Sequence, residues 1–501
     1  MRGSFSLLPL AAALTLNFAD ARAAIIAVND ASEGSVSGKC TLTDALAAIN
    51  GAVAVNACPA GDGNADTIDL AFFSTPTLLT FALAHAADGN SALAFTKAAT
   101  IRAPLDGSGN PLVTLQRSTV SGTPAFRLLA TDANLALSGL ALKNGSSADR
   151  GGALYASGSA TLAIDHALIS GNAAATSGGG IAGDCGDIAV TASLVDANTA
   201  TKNGGGIYAA NHLMTGGAFC SSTVTFDRST ISNNVVQIGS GGGIYSFNGS
   251  AVADRATLSG NHAIGRAGGG VYAYQQVRLS YSTVSGNTAY YGGGGLAGQY
   301  VAVRGTTIAD NYATLTAGGI GSRNAAVLNS TLQHNGSANY AGAMNAPHIA
   351  LVFSTVTGNY VAAGGTVGGV RFGSYGLLIG SIVTDNGADN IQGNSNVMGN
   401  HNIIGANATP GTAVPGDTLN CDPLLGALAN NGGPTQTRLP GASSCAIDAG
   451  PSAPPGYLAS DQRGPQFARR AGAATDIGAV EIQDNDRIFY QGFEPPFPPP
   501  P

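Results

Sequence analysis

The chain has 501 residues and a formal net charge of −7, with 72 glycines and only 10% charged residues. Typical soluble proteins contain about 7% glycine and about 25% charged residues. The glycines have no three-residue period, which excludes collagen, and 44% hydrophobic residues with so little charge argue against disorder. Lysine and arginine are too few and too dispersed to neutralise phosphates, so no nucleic-acid partner is expected.

Residues 1–23 have the organisation of a secretory signal peptide. Arg2 precedes an apolar stretch over residues 5–18, and residues 21–23 form the A-x-A pattern of a cleavage site. The stretch is too short to span a membrane, and the alternative is a buried N-terminal strand. The sequence therefore predicts an exported, extracellular protein with no transmembrane segment in the mature chain.

Residues 24–105 are predicted to form an N-terminal cap that contains a helix over residues 40–50. Thr41 or Thr43 can cap the start of this helix. Its apolar residues share one face: Leu42, Ala45, Leu46 and Ile49. We expect this face to cover the open end of the structure that follows.

Asp62, Asn64 and Asp66 are spaced like the start of a calcium-binding loop. Thr67 stands where that loop needs glycine, and Phe73 stands where it needs glutamate. A polar turn before a strand is therefore the favoured interpretation. Calcium is kept as an alternative, and no cofactor or metal site is predicted.

A short phrase ending in asparagine recurs through residues 106–405. Its markers lie 24 to 28 residues apart, with one interval of 36: Asn144, Asn172, Asn198, Asn234, Asn261, Asn287, Asn311, Asn335, Asn359 and Asn386. Between them, apolar residues alternate over short spans and glycine blocks recur. Leucine-rich repeats need a leucine lattice, and propeller blades need about 40 residues. The pattern predicts an all-β fold, a right-handed parallel β-helix with one coil per repeat.

The markers and glycines then acquire structural roles. Each asparagine is predicted to adopt left-handed backbone geometry at a turn and to hydrogen-bond its amide along the stack of coils. The glycines are predicted at corners, where a side chain would clash or φ is positive. The long repeat between Asn198 and Asn234 carries an insertion at residues 211–217, which is predicted to form a loop on one face.

The six cysteines fall into three couples that are close in sequence. Because an exported protein can form disulfides, we predict three pairs: Cys40 with Cys58, Cys185 with Cys220, and Cys421 with Cys445. In register, Cys185 and Cys220 would lie in adjacent coils. A metal site is the rival interpretation, although the chain has no CxxC motif.

The C-terminal part divides into two regions. Because a solenoid needs capped ends, residues 406–483 are predicted to form a β-rich cap. Residues 484–501 form a proline-rich tail. The GFE sequence in this tail looks like a short terminal tag of some secreted bacterial proteins. A sorting signal and a disordered remnant both stay open.

Motifs near both ends of the mature chain match a known family. Residues 39–45, KCTLTDA, resemble the CSLREA motif of secreted bacterial β-helix proteins, with Thr43 and Asp44 in place of its arginine and glutamate. The sequences NNGGPT, AIDAG, DQRG and DIGAVE within residues 406–483 are similar to the choice-of-anchor Q domain. The repeats also look like those of polymorphic outer-membrane proteins. The resemblance implies a right-handed parallel β-helix that is secreted or held at the bacterial cell surface, in association with the outer membrane, and it implies no established reaction.

Three aspartates are the candidates for a catalytic site. Asp165, Asp227 and Asp254 each lie seven residues before a marker asparagine, so they share one predicted column, interrupted by Thr191. The neighbouring column holds basic residues: His166, Arg228 and Arg255. Stacked carboxylates suit a metal bridge or an acid–base pair. A solvated ladder of ion pairs is the favoured alternative.

Three tyrosines are the candidates for ligand binding. Tyr208, Tyr245 and Tyr272 each follow a glycine block and one aliphatic residue in successive repeats. If the aliphatic residues point inward, alternation turns the tyrosines outward into a ladder with steps of about 4.8 Å. Such a face suits stacking on the sugar rings of a polysaccharide or cell-surface glycan. A purely stabilising aromatic stack is the alternative.

Three functions remain open on this reasoning. The family resemblance, the sparse charge and the lack of a clear acid–base cluster favour a non-enzymatic protein that acts in adhesion or glycan binding. A monomer is expected. The first alternative is a polysaccharide lyase or glycoside hydrolase of the pectate-lyase-like β-helix type, which would use Asp227 or Asp254. The second is a structural spacer without a ligand.

Overall fold

The computed structural model describes residues 23–210, 220–393, 397–407, 418–483 and 486. Most of the predicted signal peptide, the insertion over residues 211–217 and nearly all of the predicted tail lie outside these residues.

The strands form three sheets in which paired strands run parallel. The first sheet contains Ile25–Ala27, Asp66–Asp69, Ser91–Phe95, Ala99–Arg102, Arg127–Thr131, Leu135–Ser138, Leu154–Ala156, Leu162–Asp165, Ile181–Gly183, Ile188–Thr191, Ile207–Ala209, Thr223–Asp227, Ile244–Ser246, Ser250–Asp254, Val271–Ser280, Leu296–Arg304, Ile320–Leu328, Met344–Val352, Val367–Ile379, Asp389–Gly393 and Val397–Asn400.

The other two sheets are built from shorter strands. The second sheet contains Thr77–Phe81, Val113–Arg117, Leu140–Lys143, Leu168–Ser170, Leu194–Asp196, Thr230–Ser232, Thr257–Ser259, Thr283–Ser285, Thr307–Ala309, Thr331–Gln333, Thr355–Thr357, Ile382–Thr384, Asn402–Ile404 and Thr418–Leu419. The third sheet contains Ser146–Ser147, Ala173–Ala174, Thr199–Ala200, Val235–Val236, His262–Ala263, Thr288–Ala289, Tyr312–Ala313, Gly336–Ser337 and Tyr360–Val361.

Each coil contributes strands to the sheets and turns its apolar residues inward. In the strand Ile207–Ala209, Ile207 and Ala209 are buried and Tyr208 is half-buried, as strand alternation requires. Most of the buried apolar residues join into one main cluster that runs from Ile26 to Ile404. The solenoid predicted from the repeat is confirmed, and its core is continuous along the axis.

One helix, Leu42–Gly51, lies at the N-terminal end. The Thr41 hydroxyl accepts a hydrogen bond from the Asp44 amide at 3.2 Å, so Thr41 is the N-cap. The C-cap is Ala52, which has a left-handed φ of 50°. The predicted apolar face is buried: Leu42, Ala45, Leu46 and Ile49. The helix packs against the strands Ser91–Phe95 and Asp66–Asp69, which confirms its place at the start of the solenoid.

The marker asparagines form a buried amide ladder. From Asn172 to Asn390, each Nδ2 donates to the Oδ1 of the next asparagine in the ladder at 2.9–3.0 Å. The predicted stack of amides is therefore confirmed. From Asn172 to Asn386 the predicted left-handed geometry is wrong by one position, because positive φ occurs at the residue before each marker, such as Asn233 (54°) and Gly260 (63°).

The first marker is also displaced by one residue. Asn144 has φ 60° and so occupies the left-handed position, while the amide of Gly145 donates to Asn172 Oδ1 at 2.8 Å. Gly145 thus takes the ladder place in that coil. The glycine corners are as predicted. Gly204 has φ +63°, and a Cβ on Gly205 would lie 2.4 Å from the carbonyl oxygen of Gly242 in the next coil.

The three predicted disulfides are confirmed. The Cα atoms are 4.8 Å apart for Cys40 and Cys58, 5.5 Å for Cys185 and Cys220, and 6.6 Å for Cys421 and Cys445. The second bond joins adjacent coils on either side of the long insertion. Among the described residues, no helix is long and apolar enough to cross a membrane.

The C-terminal region, residues 418–483, lies along the outer face of the second sheet. The Gln462 side chain accepts a hydrogen bond from Thr331 at 2.6 Å and donates one to Thr307 at 3.0 Å. Further along the same column, the Ala479 amide donates to the Thr355 hydroxyl at 3.1 Å. The region therefore spans several coils from the side.

Regular strands are scarce in this region, which the sequence predicts to be rich in β-structure. Its described residues contain the strand Thr418–Leu419 and three isolated antiparallel bridges. Buried side chains supply much of its order. Arg469 Nη2 lies 3.2 Å from a Glu481 carboxylate oxygen, and the Arg469 guanidinium lies 4.7 Å from the centre of the Phe353 ring in the solenoid.

Candidate functional site

The candidate tyrosines form a stack on the outside of the first sheet. Tyr208 pairs in register with Tyr245, and Tyr245 pairs with Tyr272. Their ring centroids are 5.6 Å and 5.3 Å apart, and the ring planes are within 13° of parallel. We call these three residues the tyrosine stack.

The outward surface of the tyrosine stack consists of ring edges and hydroxyl groups rather than ring faces. Both faces of Tyr245 are covered by its neighbours. Within the part of the chain that the structure describes, the hydroxyls of Tyr245 and Tyr272 have no hydrogen-bond partner. Burial raises the pKa of all three phenols, and at Tyr245 the neighbouring phenols raise it further. A sugar lying across the stack would thus meet neutral hydroxyl groups.

One end of the stack is closed by a charged cluster. Ala182 is the register partner of both Tyr155 and Tyr208. The Arg150 guanidinium lies 5.4 Å from the Tyr155 ring centre and 2.5 Å from an Asp184 oxygen. The Tyr155 hydroxyl donates to Asp184 at 2.7 Å. Burial and this hydrogen bond raise the pKa of Tyr155 to about 12.

The other end of the stack opens into a depression. The register partner of Tyr272 is Ala297, followed by Gly321 and then Asn345. Two small residues therefore follow the last ring, and they form the floor of a depression of about 320 Å³. Its rim includes the exposed Tyr291.

A family model described as a right handed beta helix region matches residues 105–289, which include the tyrosine stack. The chain has the fold of a right-handed parallel β-helix. Comparison with curated proteins and with solved structures finds no significant match.

The β-helix brings the candidate aspartates into the predicted column. Asp165 pairs in register with Thr191, Thr191 with Asp227, and Asp227 with Asp254. Burial raises the pKa of Asp254, the adjacent Arg255 lowers it, and Asp227 raises it again. The carboxylates of Asp227 and Asp254 are thus stacked on one exposed face.

Each aspartate in this column also contacts the basic residue that follows it. The nearest nitrogen–oxygen distances are 2.8 Å from His166 to Asp165, 3.1 Å from Arg228 to Asp227 and 3.4 Å from Arg255 to Asp254. Solvent-exposed ion pairs of this kind contribute little to stability. Chemically, the arrangement matches a ladder of ion pairs more closely than a free acid–base pair.

The calcium-like segment folds as a turn and the start of a strand. Asp62 Oδ1 accepts a hydrogen bond from the Asn64 amide at 2.8 Å, and Asp66 begins the strand Asp66–Asp69. Asp66 Oδ1 accepts from the Ala24 amide at 3.0 Å. In the described part of the chain, no group of three or more His, Cys, Asp or Glu is placed to hold a metal ion.

Two features of this face escape sequence reasoning. The first is the charged cluster, which joins residues up to 34 positions apart: Arg150, Tyr155 and Asp184. No sequence motif indicates it. The depression beyond Tyr272 depends on two small residues, Ala297 and Gly321. Small residues give no sequence signal by themselves. The repeat nevertheless shows that these two positions follow the three tyrosines in register.

Proposed function

We propose that this protein is an exported, monomeric β-helix protein that binds a polysaccharide or cell-surface glycan without cleaving it. The observation that carries this proposal is the tyrosine stack. Three rings held in register present edges and hydroxyls along one elongated face, and a tyrosine combines an apolar body with a polar tip. A glycan chain offers the complementary row of hydroxyls and C–H faces.

Export is supported by the cysteines and by the terminal motifs. Three disulfides with no free cysteine among the described residues suit an oxidising compartment. The signal-peptide pattern of residues 1–23 supports the same route. From the CSLREA-like and choice-of-anchor-Q-like motifs we further infer attachment to a bacterial cell surface or release into the medium.

The ion pairs on the acidic column support binding without cleavage. Arg228 and Arg255 each contact the aspartate that precedes them, so both carboxylates are engaged in ion pairs. The stacked pair Asp227 and Asp254 keeps a lyase or hydrolase as the second candidate. Release of reducing or unsaturated sugar ends that Asp254→Asn abolishes would establish the enzyme instead.

The test is glycan binding by a variant that keeps the rings and loses the hydroxyls. The triple variant Tyr208→Phe, Tyr245→Phe and Tyr272→Phe preserves the stack, so its thermal midpoint should stay close to that of the wild type. Its affinity on a glycan array should fall at least about tenfold, because each lost hydrogen bond contributes about 0.5–1.5 kcal/mol. Tyr457→Phe, at an exposed tyrosine of the C-terminal region, is the control.

Two outcomes would contradict the proposal. The first is unchanged glycan affinity in the triple variant. The second is a wild-type protein that retains no glycan on the array, a result that favours the structural spacer.

A further inference from the structure

The tyrosine stack stops at a ring with one open face. Tyr245 covers one face of Tyr272, with the ring centroids 5.3 Å apart. On the other side the register partner is Ala297, and both residues line the depression of about 320 Å³. An aromatic face bordering a pocket is a place for a flat, apolar ligand surface.

The backbone at Ala297 is built like the backbone at Tyr272. A Cβ on Gly268 would lie 2.8 Å from Tyr272 Cβ, and a Cβ on Gly293 would lie 2.9 Å from Ala297 Cβ. The two outward positions therefore stand in the same relation to the glycine corner before them. The sequence, and not the backbone, leaves the fourth position of the stack with the methyl group of Ala297 in place of an aromatic ring.

The surroundings of this empty position are positively charged. Arg323 is exposed and lines the depression, and none of the described residues that line it is acidic. Arg266 lies close enough to lower the pKa of the Tyr245 and Tyr272 phenols against the effect of burial. Among the described residues, neither arginine forms an ion pair with a carboxylate. In a chain of net charge −7, two unpaired cations around one pocket favour an anionic ligand.

A polar side chain lies at the far side of the depression, where Asn345 adds an amide.

We propose that the depression beyond Tyr272 is a subsite for one sugar ring bearing a carboxylate or sulfate group. The ring lies over Ala297 and Gly321 as the next layer of the tyrosine stack, with its C–H face on Tyr272 and its anionic group on Arg323. This inference rests on the proposed glycan binding and adds the position and the charge class of the ligand.

The experiment is calorimetric titration with matched anionic and neutral polymers. One matched pair of probes is polygalacturonate and its methyl ester, and the other is dextran sulfate and dextran. Alginate and hyaluronate are additional anionic probes. Wild type should bind at least one anionic polymer about tenfold more tightly than its neutral counterpart, and added salt should reduce the difference.

Two variants separate the parts of the subsite. Ala297→Tyr fills the position with a side chain that the backbone accepts, and it should weaken anionic binding at least about tenfold while the thermal transition is kept. Arg323→Gln is a surface change that should abolish the preference for the anionic polymer. Arg278→Gln makes the same charge change on the strand of Tyr272 but outside the depression. It should change neither the affinity for the anionic polymer nor the preference for it over the neutral one.

The outcomes distinguish this inference from the proposed function. If Ala297→Tyr and Arg323→Gln both bind like wild type while the triple phenylalanine variant is weakened, glycan binding stands and the subsite is overturned. If wild type binds the neutral and anionic polymers equally, the anionic class is overturned. If wild type binds none of the polymers, the subsite is overturned, while the proposed function is decided separately by the glycan array.

Discussion

The Asn234 amide donates to Asn261 Oδ1 at 2.9 Å, and neither side chain is exposed to solvent. The same oxygen accepts the backbone amide of Asn234 at 3.1 Å. Asn261 Nδ2 in turn donates to the Ile231 carbonyl at 2.8 Å and to Asn287 Oδ1 at 2.9 Å. One side chain therefore satisfies buried groups in both neighbouring coils.

Replacing Asn261 with alanine should destabilise the solenoid strongly. The change leaves the buried backbone amide of Asn234 without its acceptor and removes the hydrogen bonds to Asn234 Nδ2, the Ile231 carbonyl and Asn287 Oδ1. A buried group left unsatisfied costs about 1–3 kcal/mol. We expect the free energy of unfolding to fall by at least about 2 kcal/mol, measured by urea denaturation. Gln237→Ala, at an exposed position beside the same coil turn, is the control. Equal midpoints for the two variants would contradict a structural role for the ladder.

Register is the part of this structure that sequence predicts best. Because each coil repeats the last, counting from the marker asparagines places Asp227 beside Asp254 and Tyr245 beside Tyr272. The same counting misassigns the left-handed residue. Asparagine is typical of left-handed turns, yet the buried ladder requires the amide at the following position, so Asn233 or Gly260 takes the turn instead.

Long-range docking is the part that sequence reasoning misses. The motif residue Gln462 binds Thr307 and Thr331, which precede it by 155 and 131 positions. No periodicity connects these residues, because the C-terminal region does not repeat. The depression beyond Tyr272 is missed for a related reason. Ala297 contributes to it only because its register partner in the preceding coil is the larger residue Tyr272.

Removing the bond between Cys185 and Cys220 should lower stability. The two residues are 35 positions apart, and a closed loop of that length stabilises by about 3–4 kcal/mol on the chain-entropy model. The double variant Cys185→Ser and Cys220→Ser should therefore unfold at lower urea concentration than wild type. Adding a reducing agent should leave the variant with a smaller further loss than wild type. A variant with the wild-type midpoint would contradict the prediction.

Alkaline stability should depend on Tyr155. An unfolded tyrosine ionises near pH 10, whereas burial and then the hydrogen bond to Asp184 raise the pKa of Tyr155 to about 12. Between these values the unfolded chain releases a proton that the folded chain keeps, so stability falls as pH rises through this window. Tyr155→Phe removes the titrating group, so its urea midpoint should fall less than that of wild type between about pH 9 and about pH 11.5. Tyr457→Phe is the matched control, and an equal fall in all three proteins would count against the prediction.

Arg469 and Arg470 are adjacent in sequence and offer a matched pair of substitutions. Arg469 is fully buried, and Nη1 donates to the Gly478 carbonyl at 3.0 Å in addition to its ion pair with Glu481. Removing one partner of a buried ion pair costs about 3–5 kcal/mol. Arg469→Met should therefore lower the thermal midpoint and make residues 418–483 susceptible to limited proteolysis. Arg470→Met, at an exposed residue, should change stability by less than about 0.5 kcal/mol.

The pH dependence of this variant identifies the ion pair as the cause. Burial raises the pKa of Glu481, Asp476 raises it further, and Arg469 lowers it. Without Arg469, the folded-state pKa rises more, so protonation of Glu481 relieves the unpaired charge as pH falls, and stability is lost as pH rises through that pKa. The deficit of Arg469→Met relative to wild type should therefore be smaller at about pH 5 than at about pH 8. A deficit that is the same at both pH values would show that lost packing against Phe353, rather than the unpaired carboxylate, accounts for the effect.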